Sequence, residues 1–352
     1  MNSQALIHSI IQRIATGPEL SKNIELEEAS AAMSAILNGE IDEVQSAIFL
    51  IALRMKRETI EENFGILDAL IKATDVQQTD VEDLIDLGDP YSGYNRSIPI
   101  SAFLPPLLAE LGLPTVIHGL DGVTPKFGLT HKHINRVLGN NTELSVIEAK
   151  EQLGRDKKGW VYLDQSRYCA PLHDLLPLRN KVVKRTVINT VESLIGPIKG
   201  QRTHSILGFV HKPYPPIYAA LTARAGFDTS LVIRGVEGGV VPSLRQKGLM
   251  ISYVGDKEKA RVEIDPKAMG IQQELRAIVF PQYLSVDNKT ALAEHTVTLG
   301  KAALSGERGM FYDGLVCTTS LILWHLEKFK YLSDAAEHVR EVLDSGLVLN
   351  RL

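Results

Sequence analysis

The sequence predicts an α/β protein with a small N-terminal all-helical domain and a larger α/β domain on a mainly parallel central sheet. Three observations predict it. At 352 residues the chain exceeds what one hydrophobic core usually organises. Residues 1–78 carry apolar side chains at helical spacing and no strand pattern. Residues 79–352 alternate short β-rich runs with segments of helix length, which is typical of parallel sheets.

Four helices are predicted in the first domain, because apolar residues recur there every three to four positions. Gly17 and Pro18 break the first helix, Asn38 and Gly39 stop the second, and Thr59 caps the fourth. A later helical segment near 170–190 is expected to join this domain. The predicted helices cover residues 6–14, 25–37, 42–56 and 59–73.

The second domain is expected to alternate strands with helices. Ligands of such sheets bind at the carboxyl ends of the strands, so the residues that follow each strand are candidates for a site. Strands are predicted at residues 84–87, 115–118, 160–163, 205–210, 230–234 and 249–254, and helices at 100–111 and 131–138.

Composition narrows the class of protein. An apolar fraction of 44% and a charged fraction of 23% are ordinary for a globular chain and argue against disorder. A formal net charge of −4 means that any nucleic-acid role needs a local basic patch. Cys169 and Cys317 are too few for a disulfide framework, which favours a reduced, cytoplasmic setting. The N-terminus has no continuous apolar run, so we expect no signal peptide and no membrane partner.

Residues 38–59 resemble closely the N-terminal helical signature of the anthranilate phosphoribosyltransferases (glycosyltransferase family 3) and their nucleoside phosphorylase relatives. Further similarity lies at 118–119, 185–189, 196–197 and 235–238, so the resemblance covers most of the chain. It implies a nucleoside phosphorylase/phosphoribosyltransferase-like fold that usually dimerises through its helical domain. The Tyr-x-Gly-Tyr loop and the Gly-x-Glu-Gly turn resemble a divergent second branch with eroded active-site motifs, which is thought to include nucleic-acid binders.

Members of this family transfer a 5-phosphoribosyl group from phosphoribosyl pyrophosphate to an amine. Glycine amides, cations and magnesium must stabilise the pyrophosphate leaving group. Loop 86–101 lacks the family's glycine cluster, because Gly88 and Gly93 are separated by a segment that contains a proline and a tyrosine. The resemblance implies a phosphate-binding role for seven residues: Gly88, Gly93, Ser101, His118, Gly119, Lys126 and Gly128. The alternatives are a turn role for the two loop glycines and a packed or solvent-facing role for His118.

The magnesium ligands of the family are also missing. Aligned through the glycines of the 235–239 turn, Val240 and Val241 occupy the positions of the two acids. A valine side chain has no oxygen to bind magnesium, so no metal site is predicted. Magnesium is expected as a cofactor only if transferase chemistry is retained.

The acceptor side is better preserved. Arg179 matches the family arginine that faces the anthranilate carboxylate, and Arg185 follows six residues later. Six basic residues and one acid between positions 179 and 202 give this segment a charge of +5. It is therefore a candidate polyanion surface, and the alternative is a solvated basic helix face. The predicted acceptor-binding or polyanion-binding residues are Arg179, Lys181, Lys184 and Arg185.

Three functional hypotheses follow, and no catalytic residue is assigned in any of them. We favour an anthranilate-phosphoribosyltransferase-like homodimer whose hinge cleft binds a phosphorylated small molecule or a polyanion such as nucleic acid, without the usual anthranilate transfer. The alternative is an active phosphoribosyltransferase that moves the pentosyl group to anthranilate or another aromatic amine. A pyrimidine-nucleoside-phosphorylase-like activity is a weaker third hypothesis, because the same loop losses count against it.

Overall fold

A computed structural model describes residues 2–17, 19–154 and 157–352 of the chain. Pro18, at the predicted helix break, lies outside the described residues. The four predicted N-terminal helices are confirmed, and side chains cap each of them: Asn2 accepts from Ala5 N, Glu28 accepts from Glu25 N, Asp42 accepts from Val44 N, and Thr59 forms a capping box. They are α1 (Ser3–Ile14), α2 (Leu26–Leu37), α3 (Glu43–Lys56) and α4 (Ile60–Lys72).

The larger unit is built on a seven-stranded sheet of order β4-β3-β2-β6-β7-β8-β9. Strands β4 to β7 in that order run parallel, and β8 and β9 add an antiparallel end. Strands β1 and β5 pair separately as a short parallel ribbon. The strands are β1 (Gln77–Gln78), β2 (Asp83–Gly88), β3 (Thr115–Gly119), β4 (Trp160–Asp164), β5 (Ile198–Lys199), β6 (Arg202–Phe209), β7 (Thr229–Arg234), β8 (Gly248–Val254) and β9 (Lys257–Ile264).

Helices cover both faces of this sheet, because its central strands alternate their apolar side chains between two cores. Ile85 and Ile206 pack with the C-terminal helices, whereas Leu84 and Leu207 pack with the N-terminal bundle. The remaining helices are α5 (Leu104–Glu110), α6 (His131–Leu138), α7 (Val146–Glu151), α8 (Gln165–Tyr168), α9 (Ala170–His173), α10 (Leu176–Val182), α11 (Ile188–Val191), α12 (Tyr214–Arg224), α13 (Lys289–Leu304), α14 (Met310–His325) and α15 (Leu332–Asp344).

The predicted fold class is confirmed, with differences at three places. Strand β9 was not predicted, because its charged, mostly exposed residues give no apolar run, as is usual at a sheet edge. The two-residue strands β1 and β5 are too short to leave a pattern. The predicted helix 100–111 begins as a 3-10 turn over Ile100–Phe103 and becomes α5 only afterwards, where Pro105 and Pro106 suit a first helical turn.

The segment near 170–190 packs on the N-terminal bundle. Leu172, Leu178 and Val187 share one buried core with the side chains of α1 to α4. The boundary at residue 78 between a dimerisation domain and a ligand-binding domain stays a prediction, as does a cytoplasmic location. Among the residues described, no helix combines the length and the apolar character needed to cross a membrane.

Candidate anion-binding cleft

A cleft of about 470 Å³ opens where β2 and β6 end, on the side of the sheet that faces the helical bundle. Gly88 ends β2, Phe209 ends β6, and Arg54 near the end of α3 closes the cleft from the bundle. This is the edge at which parallel sheets bind ligands. Basic side chains line it from four separate parts of the chain: Arg54, Arg96, Lys126 and Arg185.

Two carboxylates also line the cleft, and one of them is Glu237. Its Oε1 accepts from Arg96 N at 3.0 Å, Ser97 N at 2.9 Å and Ser97 Oγ at 2.8 Å. Its Oε2 accepts from Asn95 N at 3.2 Å and Lys126 Nζ at 3.5 Å. Burial alone would raise the pKa of the Glu237 carboxyl, but these hydrogen bonds and the Lys126 charge lower it. Glu237 is therefore a fixed anion at neutral pH.

The second carboxylate, Glu192, is neutralised by Arg179, with which it forms an ion pair. The guanidinium donates two hydrogen bonds, from Nη1 at 2.8 Å and Nη2 at 2.7 Å, and both side chains are about 2% exposed. The Gln165 amide donates a further bond to Glu192 Oε2 at 3.2 Å. Arg179 therefore does not line the cleft, and its fork already holds a carboxylate of this chain.

Ser101 is equally removed from the cleft. It is fully buried, and its hydroxyl donates to Asp89 Oδ2 at 2.8 Å. The same carboxylate accepts from Tyr94 OH at 2.7 Å and from Val240 N at 3.1 Å, and His131 Nε2 lies 3.0 Å from it. Burial would raise the pKa of the Asp89 carboxyl, but the charge of His131 and the hydrogen bonds to the carboxylate lower this pKa. This cluster ties the 86–101 loop to the turn after β7.

His118 is a packed histidine, as the alternative interpretation had it. It is 2% exposed, its Nε2 lies 3.0 Å from Asp86 Oδ1, and its Nδ1 contacts the hydroxyl of Tyr91. Gly119 is buried next to it at the end of β3. Neither residue lines the cleft.

The loop glycines have different roles. Gly93 has φ +70°, and a Cβ there would lie 2.7 Å from the backbone of Gly128, so the two glycines allow two loops to touch. Gly88 lines the cleft, as does Lys126, whose Nζ also donates to Gly93 O at 3.3 Å. Of the seven predicted phosphate-binding residues, only Gly88 and Lys126 line the cleft.

The basic segment 179–202 does not form one patch. Lys181 is paired with Glu43 at 2.7 Å, and Arg202 is paired with Glu82 and Asp83 at the opposite edge of the sheet. Lys199 is buried over the Phe227 ring, and burial lowers the pKa of its ammonium to about 8. Lys184 and Arg185 are exposed, and Arg185 lines the cleft. The charge of +5 along the chain therefore overstates the local field.

Comparison with known proteins places this geometry in a family. Residues 8–74 match the "Glycosyl transferase family, helical bundle domain", and residues 92–349 match the "Glycosyl transferase family, a/b domain". The chain belongs to this glycosyl transferase family. An uncharacterized protein of Aquifex aeolicus is 28% identical over 304 residues, 86% of this chain and 88% of that protein. An anthranilate phosphoribosyltransferase of Methanopyrus kandleri is 27% identical over 270 residues, 75% and 76% of the two chains.

This glycosyl transferase family member has the same fold as anthranilate phosphoribosyltransferases of known structure. The Saccharomyces cerevisiae enzyme, solved in complex with phosphoribosyl pyrophosphate and magnesium, superposes with a TM-score of 0.80 at 16% identity. The superposition covers 99% of this chain and 96% of the yeast chain.

The two positions that the family resemblance aligns with magnesium ligands offer no donor atom in this glycosyl transferase family member. Val240 is fully buried in the core and Val241 is half-buried, and neither carries a ligand atom. Across residues 2–17, 19–154 and 157–352, no three His, Cys, Asp or Glu side chains are grouped to hold a metal ion. We therefore derive no step through a metal.

Sequence reasoning missed an aromatic row beside the cleft. The rings of His211, Tyr214 and Tyr218 follow one another at the start of α12, with centroid distances of 6.3 Å and 5.5 Å. All three side chains line the cleft. The spacing of four residues between Tyr214 and Tyr218 was the signal that would have placed these two rings on one face of α12, whereas His211 precedes that helix.

A larger cavity of about 950 Å³ lies at the amino ends of β2 and β3. Its lining is mixed in charge, with Asp80, Glu82 and Asp83 beside Lys150 and Lys328. Parallel sheets bind ligands at the other edge. The cleft at the carboxyl ends is therefore the candidate site, although it is the smaller cavity.

Proposed function

We propose that this chain is an anthranilate-phosphoribosyltransferase-like protein whose cleft binds a phosphate-bearing polyanion, with nucleic acid as the ligand class, and that it does not transfer phosphoribosyl groups to anthranilate. One observation carries the proposal. Arg96 and Arg185 line the cleft, and among the described residues neither has a carboxylate within 4.0 Å. Two unneutralised guanidiniums in a cleft attract phosphate strongly.

The electrostatics of the cleft supports an anionic ligand. Its two carboxylates are already neutralised from within, Glu192 by Arg179 and Glu237 by Lys126 and backbone amides. Burial, together with the charge of Arg185, lowers the pKa of the Lys126 ammonium. A bound phosphate would relieve the repulsion between these two cations.

The aromatic row supports nucleic acid over a bare phosphate. Tyr214 and Tyr218 are half-buried and His211 is exposed, so the row has an open end at His211, and Arg185 lines the same cleft. Aromatic rings next to a basic groove stack bases while the cations hold the backbone. The row gives the cleft a way to bind bases without reading sequence.

Binding of single-stranded DNA tests the proposal. We expect a fluorescein-labelled oligonucleotide to bind at low salt, and Arg185→Ala to weaken binding about tenfold while lowering the salt slope by about 0.7, because one phosphate contact is lost. Fluorescence anisotropy at several salt concentrations measures both.

Lys181→Ala is the matched control. Lys181 lies four residues before Arg185, but its side chain is 68% exposed and lies outside the cleft. The variant removes one positive charge there, so its affinity for DNA should stay within about twofold of that of the wild type. Equal losses for both variants would mean general surface attraction and contradict a cleft site. No binding by the wild-type protein at low salt would remove the proposal.

We also propose a homodimer that forms through the outer face of α3. Val44 and Met55 are 67% and 73% exposed, Ile48 is 40% exposed, and their spacing of four and seven residues puts them on one face. An apolar stripe that solvent would otherwise cover supports burial against a second copy. Arg54 beside this stripe lines the cleft, so a dimer would set two clefts in a fixed relation.

Val44→Glu combined with Met55→Glu should convert the dimer to a monomer, because two charges would be buried without partners. Size-exclusion chromatography with light scattering measures the mass. Ile147→Glu, at a 55% exposed apolar residue of α7, is the control and should leave the mass unchanged. A wild-type monomer at micromolar concentration would contradict the proposal.

A further inference from the structure

We propose that Glu237 is a built-in anion that fills a phosphate-binding pocket of the cleft and that leaves this pocket when a ligand phosphate binds. The pocket consists of the amides of residues 95–97, the Ser97 hydroxyl and the Lys126 ammonium. This inference rests on the proposed function, because it describes how the same cleft admits its polyanion.

The donors of the pocket fit a phosphate better than a carboxylate. Five donor groups converge on Glu237, and three of them point at Oε1 alone. A carboxylate offers about four lone-pair sites on two oxygens. A phosphate group spreads the same donors over three oxygens and carries more negative charge. Consecutive backbone amides that point into one concavity are a common phosphate-binding arrangement.

The backbone of Glu237 has an unusual conformation. With φ of +54° and ψ of 13°, Glu237 has a left-handed backbone conformation, which residues other than glycine rarely adopt. Gly235 precedes it by two residues, and Gly238, at φ +90°, follows it directly. The turn's own hydrogen bonds hold this backbone, so the Glu237 side chain leaves the pocket by rotation about its own χ angles.

The turn is anchored on both sides of Glu237: Val236 N donates to Val241 O at 2.9 Å, and Gly239 N donates to Val236 O at 3.0 Å. Beyond Glu237, a Cβ on Gly239 would lie 1.7 Å from Tyr94 OH, and Val240 N is bonded to Asp89. The tip that carries Glu237 reaches over the cleft from this anchor and is only partly buried. Because the pKa of the carboxyl is lowered, it stays ionised near neutral pH, and the change is driven by competition rather than by protonation.

Calorimetry with inorganic pyrophosphate, without magnesium, tests the inference. Glu237→Gly removes the carboxylate and accepts the left-handed backbone, and Glu237→Gln keeps the side-chain size and removes the charge. We expect both variants to bind pyrophosphate about tenfold tighter than the wild type or more. Adding Lys126→Met to the glycine variant should abolish most of this gain.

Glu337→Ala is the control for net charge, since Glu337 is exposed on α15 and, in the described structure, takes part in no ion pair. Its affinity should match the wild type. Equal affinities of all these proteins, with thermal unfolding that shows both Glu237 variants folded, would overturn the inference. If Arg185→Ala still weakens DNA binding in that case, the proposed function stands and only the role of Glu237 falls. If the Glu237 variants gain affinity for pyrophosphate but the wild-type protein binds no DNA, the role of Glu237 stands and nucleic acid falls as the ligand class.

Discussion

Arg179→Met is expected to lower the free energy of unfolding by about 3–5 kcal/mol, because it leaves the Glu192 carboxylate buried without its counter-charge. The pair is bidentate, and both side chains are about 2% exposed. The amides of Gln165 and Asn189, at 3.2 Å and 3.4 Å from the carboxylate, cannot replace a full charge. Urea denaturation followed by circular dichroism measures the loss.

Lys181→Met is the matched control for this prediction. Lys181 lies on the same helix and is also paired with a glutamate, but it is 68% exposed, so its loss should cost less than about 1 kcal/mol. The double variant Arg179→Met with Glu192→Leu should recover much of the stability, since no charge is left buried. Equal stability of the two single variants would mean that Arg179 is not a structural residue and would return it to the ligand-binding candidates.

The helices of the bundle and the parallel strands were predictable because their signals are local. Apolar residues at helical spacing, ended by caps such as Thr59, determine each helix within its own segment. Central strands such as β3 are buried on both faces and appear as apolar runs. Strand β9 lacks such a run because it lies at the edge and alternates charged residues.

The site was less predictable because its decisive contacts join distant parts of the chain. Glu237 lies 140 residues from Ser97 in sequence, and no local pattern links a glutamate in a turn to the amides of another loop. The family resemblance predicts that Arg179 faces an acceptor, whereas in the fold its guanidinium donates to Glu192, thirteen residues later. Residue type and spacing predicted which groups carry charge, whereas the partner of each charge followed only from the fold.

Incubation with anthranilate, phosphoribosyl pyrophosphate and magnesium is expected to give no product above background. Two residues that the family resemblance assigns to this transfer are engaged elsewhere: Ser101 donates to Asp89, and Arg179 donates to Glu192. Removing one preorganised group typically costs about a hundredfold in rate, so turnover is expected to be at least about a hundredfold lower. Val240 and Val241, which the family resemblance aligns with the metal ligands, carry no ligand atom.

Fluorescence loss of anthranilate measures this reaction, and the Methanopyrus kandleri enzyme is the positive control. Magnesium-dependent turnover that disappears in Lys126→Met would contradict the prediction. Lys126 is a predicted phosphate ligand and its ammonium lines the cleft, so this result would place the reaction in the cleft. Without turnover, the proposed binding of anions through Arg96 and Arg185 would still be expected, since both line the cleft and neither contacts Ser101 or Arg179. The two proposals are therefore tested separately: DNA binding tests the cations that face the cleft, whereas the transfer assay tests the residues that the family resemblance assigns to catalysis.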